Sequence, residues 1–243
     1  LNEKIQTTIP TIARLTTLIK KVLNDKYDKN ILIERFQNFK KSYLADCELI
    51  KNGLPIRHQN TPEDITENIT KFIIRNYEKD KTCVWCKGID KKYRLTGDLY
   101  SENYEQIEVK SFTSDGPSQF GPDKKFSVLY FLDLRNWLDD EIILWKVNLR
   151  FDSKEFKKIK VNKKQTLENQ LREGRRPRIS WDKIKPQIAG YYHQIFRGTF
   201  DDIFNSNQMF SAIRLAINET TGTETALPAK LYNLLDDRVS GNK

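Results

Sequence analysis

Apolar residues recur at helical spacing twice near the start of the chain. Ile12, Leu15, Ile19 and Val22 form one stripe, and Leu32, Phe36, Phe39, Tyr43 and Cys47 a second. The pattern predicts two amphipathic helices joined near Tyr27-Asp28-Lys29-Asn30, with Gly53-Leu54-Pro55 closing the unit. A third helix is expected from Thr61, with Thr61 as N-cap, Pro62 in the first helical position and Asp64 in place of a capping-box acid. Ile65, Ile69, Phe72 and Ile73 then share one face. From Tyr93 the period changes to two. Residues 93–100 and 105–112 read as strands joined by a turn at Ser101-Glu102-Asn103, a hairpin. Residues 127–133 are almost wholly apolar, the pattern of a central strand buried on both faces. Residues 142–149 read as another strand, so one helix precedes four strands. Beyond them the sequence predicts a short helix from Gln165 to Arg172, one capped by Ser180 and running from Trp181, and helices over 200–217 and 228–235. A frayed tail is expected at 240–243.

This order implies a mixed α/β fold, a central sheet flanked by helices. With no internal repeat or low-complexity linker, the simplest partition is one domain over 1–243. It would comprise a helical N-terminal addition (1–60), a core (61–150) and a basic, helical C-terminal part (151–243). The 243 residues suffice for a proper hydrophobic core, and 13 Phe, 10 Tyr and 4 Trp argue against disorder.

Lys and Arg outnumber Asp and Glu by 42 to 33, a net charge of +9. That excess fits a polyanion, either nucleic acid or an anionic membrane surface, and equally a solvated lysine-rich surface. No apolar run approaches the ~18 residues of a membrane span. Residues 5–12 are broken by Gln, Thr and Pro, unlike a secretion signal. Three cysteines, Cys47, Cys83 and Cys86, fit a reducing cytoplasm better than a disulfide scaffold. Cys83-Val84-Trp85-Cys86 would need two more ligands to hold zinc. Only Cys47, His58 and His193 remain, scattered along the chain, so a tight turn carrying two free thiols is expected.

The candidate chemistry lies at Gly97-Asp98 and Glu108-Val109-Lys110. Residues two apart on a strand face the same side. Glu108 and Lys110 therefore project together, and Asp98 on the neighbouring strand can join them. Hard Mg²⁺ prefers carboxylate oxygens completed by waters and phosphate, and the Val109 carbonyl offers a further oxygen. Lys110 is placed to orient an attacking water or to neutralise charge developing on phosphorus. Acid-x-Lys triplets also occur at Asp90, Asp123, Asp152 and Glu155. Glu108-Val109-Lys110 differs in being embedded in a strand, preceded by a strand with a lone acid after glycine, and downstream of a capped helix.

Thr96-Gly97-Asp98 with Glu108-Val109-Lys110 resembles the signature of the PD-(D/E)xK nucleases, with Gly97 where that family often has proline. The helix and strands over about 61–150 resemble its restriction-endonuclease-like core. Length, a single domain and the basic balance look most like a type II restriction endonuclease. The resemblance implies Asp98 and Glu108 as metal ligands, Lys110 as the catalytic lysine, Mg²⁺ as cofactor and double-stranded DNA as substrate. It further implies a homodimer, working beside a DNA methyltransferase that acts on the same site without a stable complex. Some members add a helical acid. Glu63 and Glu67 are the candidates here, but Glu67 falls opposite the apolar face.

Two segments are candidates for holding DNA. Ser111 to Pro122 reads as a long loop leaving the end of the catalytic strand, with Ser111, Ser114, Ser118 and Gln119 offered to bases or phosphates and Lys124 just beyond. Arg172, Arg175, Arg176 and Arg178 form the densest arginine cluster, preceded by a lysine run that includes Lys163; guanidinium forks suit phosphate and guanine alike. A solvated surface accounts for either segment as well. His58 and His193 make no nucleophile–base pair, and there is no Walker loop. Two rivals stay open: a structure-selective or repair nuclease, and a DNA-binding module with an inert nuclease-like fold.

Overall fold

A computed structural model describes residues 25–89, 95, 97–122 and 125–205. The expected helix over 12–22, the start of the strand expected from Tyr93, Lys124 and everything beyond residue 205 lie outside the described residues. A six-stranded mixed sheet organises them. Its strands are β1 (Val84–Trp85), β2 (Leu99–Tyr100), β3 (Ile107–Phe112), β5 (Val128–Asp133), β6 (Ile142–Val147) and β8 (Tyr192–Gly198), side by side in that order. β3 and β5 run parallel, and the other neighbours are antiparallel. Two further strands, β4 (Ser118–Gln119) and β7 (Arg178–Ile179), pair with each other as a separate ribbon.

The alternation of each strand builds two cores. Ile107 and Val109 of β3, with Val128, Tyr130 and Leu132 of β5, face the helices α1 (Lys29–Lys51) and α2 (Glu63–Tyr77). Phe112, Leu129 and Phe131 face the opposite layer, where Phe120, Phe126, Phe156, Leu167 and Trp181 pack. That layer carries three short helices: α3 (Lys154–Lys157), α4 (Leu167–Arg172) and α5 (Trp181–Ile184). β5 is buried at all six positions, as expected of a strand covered on both faces. The helix-sheet-helix arrangement agrees with the expected fold class. Among the described residues no helix is long and apolar enough to cross a membrane.

α1 begins where Asp28 accepts the Ile31 N–H at 3.0 Å, and it stops before Gly53, whose φ of +85° a helix cannot use. α2 starts one residue later than expected. Pro62, not Thr61, is the N-cap, because the extended Pro62 presents its carbonyl to the N–H groups of Ile65 and Thr66. α2 is buried almost all round, including Thr66, Glu67, Asn68, Thr70 and Lys71. Lys71 is wholly buried, its ammonium 2.9 Å from Asp25 Oδ2 and 2.6 Å from the Tyr27 carbonyl. Arg75 and the backbone N–H of Trp85 reach the same carboxylate.

Several expected elements are corrected. The described part of the 93–100 strand pairs only at Leu99–Tyr100, and the hairpin turn extends to Gln106 because Glu105 adopts φ +55° with its N–H bonded to the Ser101 carbonyl. The Cys83–Cys86 segment is an edge strand followed by a 3₁₀ turn, not a tight turn; Cys83 is buried and neither cysteine forms a disulfide. The strand expected over 105–112 begins at Ile107 and ends at Phe112 as expected, and the mostly loop segment after it contains the short strand β4 at Ser118–Gln119. β6 ends at Val147 rather than Leu149. β8 appears where no strand was expected. The helix expected from Phe200 begins, as far as it is described, with a 3₁₀ turn at Asp201–Ile203.

Candidate active site

Asp98 sits at the entrance to β2 and Glu108 within β3; both are buried. Gly97, at φ +98°, turns the chain so closely against β3 that a Cβ there would stand 3.3 Å from the Ile107 carbonyl. That approach lets Asp98 Oδ2 accept the Val109 N–H at 2.9 Å, which fixes the carboxylate against β3. The Ile107 carbonyl accepts from Asp98 N at 3.1 Å. Residues two apart on a strand send their backbone groups to the same edge. The Val109 carbonyl therefore faces the edge where Asp98 stands. Lys110 Nζ lies 2.6 Å from Glu108 Oε1 and 5.6 Å from the Phe120 ring centre.

These groups open on a cavity of about 820 Å³, lined by Asp98, Glu108, Val109, Lys110 and Ser111. α2 adds Glu63, Thr66 and Glu67 to the same wall. Glu67, one of the two candidate helical acids, is buried although it falls opposite the apolar face. Its carboxylate receives the Trp85 indole N–H and the Lys87 ammonium. Burial, then the charge of Asp98, push its pKa up to about 7, against the pull of Lys87 and Trp85. Burial and the Asp98 and Glu67 charges likewise push the nearby Cys86 thiol up to about 12. The signal for Glu67 was an acid on the polar side of a helix that immediately precedes an acidic strand pair.

Further lining comes from β4 and from the segment that leads into β7. Ser118, Gln119 and Arg176 line the cavity, so two distant segments meet there. Ser118 is buried, and its hydroxyl has no hydrogen-bond partner among the described residues. Arg178 lies across from Gln119 in the ribbon, and both are exposed. Other expected residues are not gathered here. Arg172 is held by Glu168 at 3.5 Å and Arg175 by Glu173 at 3.1 Å, and neither lines the cavity. Ser114 is exposed and bonds the Gly116 N–H, while Lys163 stands on an exposed turn; both are outside the lining.

Among the described residues no group of three or more His, Cys, Asp or Glu side chains forms a ready metal centre. The donors present are nonetheless hard oxygens, two buried carboxylates and a backbone carbonyl. That set fits a small divalent cation which keeps several of its waters.

Residues 24–185 match the family model of the Bsp6I restriction endonuclease. The chain is similar to the type II restriction enzyme Bsp6I of Bacillus sp. (strain RFL6), with 34% identity over 161 residues, covering 64% of this chain and 80% of that enzyme. No solved structure matches the chain.

Proposed function

Because the chain belongs to the Bsp6I restriction endonuclease family, we propose that this cavity is where a type II restriction endonuclease hydrolyses double-stranded DNA. The observation that carries the assignment is the convergence of buried Asp98 and Glu108 with Lys110 on one cavity wall. In this reading the site is of PD-(D/E)xK type, with Gly97 in place of proline. Asp98, Glu108 and the Val109 carbonyl would hold Mg²⁺. When bound, the ion polarises the scissile phosphate and makes a water a better nucleophile at neutral pH.

The chain's own residues do the rest. The Val109 N–H holds the Asp98 carboxylate in one orientation against β3. Glu108 anchors the Lys110 ammonium at the cavity wall. From there Lys110 orients the attacking water and offsets negative charge developing on the phosphoryl oxygens. A DNA methyltransferase acting on the same sequence would protect the host, with no stable complex between the two.

The test is digestion of unmethylated phage DNA by purified protein, with and without Mg²⁺. Discrete fragments only with the ion support the reading; intact DNA in every divalent cation overturns it. Asp98→Ala and Lys110→Ala should each abolish cutting while leaving DNA binding in Ca²⁺ largely intact. Wild-type cutting by either variant would move the active site elsewhere.

A further inference from the structure

The β4–β7 ribbon separates two tasks that the arginine cluster leaves mixed in the sequence. Its register sets Ser118 opposite Ile179 and Gln119 opposite Arg178, and the Phe120 N–H continues the ladder to the Pro177 carbonyl at 3.0 Å. Directly opposed side chains share a face, their Cβ atoms about 5 Å apart. Gln119 and Arg178 therefore stand side by side on the exposed face. Arg176, two residues before Arg178 and likewise exposed, lines the cavity together with Gln119 and the carboxylates. Unlike Arg172 and Arg175, neither Arg176 nor Arg178 is tied to an acid among the described residues. Ser118, nine-tenths buried, adds an unpartnered hydroxyl to the same wall.

Resting on the nuclease reading of the cavity, we infer that this ribbon is the sequence-reading element of the enzyme. A two-stranded ribbon fits the major groove. Arg178 presents a planar fork that matches O6 and N7 of guanine, and the Gln119 carboxamide is set to read the neighbouring base pair. Arg176 and Ser118, which line the cavity that holds the carboxylates, hold a backbone phosphate close to the scissile bond and carry no sequence information. The adjoining Arg172 and Arg175, neutralised by Glu168 and Glu173, take no part in base reading.

The inference is tested by binding, so that it does not depend on cleavage. A randomised duplex library is equilibrated with the full chain in Ca²⁺, and the bound fraction is sequenced. The wild-type protein is expected to enrich a short motif containing guanine. Arg178→Lys, which keeps the charge but loses the fork, should cut the preference for one guanine about 10- to 100-fold. Gln119→Ala should relax the adjacent position. Arg176→Ala should weaken binding to every sequence alike and leave the motif unchanged. An unaltered motif in Arg178→Lys and Gln119→Ala overturns the inference, as does an altered motif in Arg176→Ala or the absence of any motif in the wild type. Failure of cutting in Mg²⁺ with an intact motif would instead strike the catalytic reading alone.

Discussion

Glu67 is the residue with the sharpest physical signature. A carboxyl whose folded pKa lies near 7, against an ordinary value of 4.5, binds a proton more tightly in the folded chain than in the unfolded one. The folded state is therefore favoured below pH 4.5 and loses that advantage as pH rises to 7. The loss is on the order of 3 kcal/mol. Urea unfolding of the metal-free protein should show this decline, and Glu67→Gln, an uncharged isostere, should flatten it. An identical slope in the variant would remove Glu67 as its source. Gly97 makes a second prediction. Gly97→Ala imposes a side chain at φ +98° against the Ile107 carbonyl, and is expected to cost about 1–3 kcal/mol. Cutting should fall further than stability does, because Asp98 moves with the turn. Glu108 and Lys110 were legible in the sequence because strand periodicity assigns their direction, whereas Asp98, just ahead of β2, is brought to β3 by the Gly97 turn. The burial of Glu67 was not legible. Helical periodicity separates an apolar face from a polar one, but it cannot reveal that the polar face is also covered.

What covers it is the packing of neighbouring elements around α2. Asp25 draws together Lys71 and Arg75 of α2 and the Trp85 N–H of β1. Asp25→Ala would leave the Lys71 ammonium buried with Arg75 and no counter-ion, a loss of about 3–5 kcal/mol. Asp25→Ala combined with Lys71→Met should recover most of it, as measured by chemical denaturation; a double variant no more stable than Asp25→Ala would refute the clamp. Elements with a strong local signal were readable: α1 from its stripe and β5 from its apolar run. The two-residue strands β1, β4 and β7 were not, since so short a segment has no period. β4 and β7 exist only because residues some sixty positions apart pair with each other. β8 was hidden because its solvent-leaning residues, Tyr192, His193 and Gln194, do not alternate cleanly with apolar ones.

For the molecule as a whole, the net charge of +9 and the one Asp98–Glu108 centre among the described residues frame how it would meet a duplex. One centre cuts one strand, so a two-fold symmetric homodimer is proposed as the form that severs both. Sedimentation should then give twice the 28.7 kDa chain mass. Supercoiled plasmid should pass directly to linear product. A nicked intermediate that accumulates, from a protein sedimenting as one chain, would overturn the dimer. Architecture at this scale was partly legible: helices around a mixed sheet follow from the order of periods, but the order of strands does not.

The parallel pairing of β3 with β5 has its own consequence. A chain that finishes β3 must travel back along the sheet before β5 can begin, so residues 113–127 form an obligatory return path. β4 lies on that path. Its exposed residue, Gln119, lies outside the six-stranded sheet and pairs only with β7. The return path is thus the natural place to graft a new target preference onto an unchanged cutting centre.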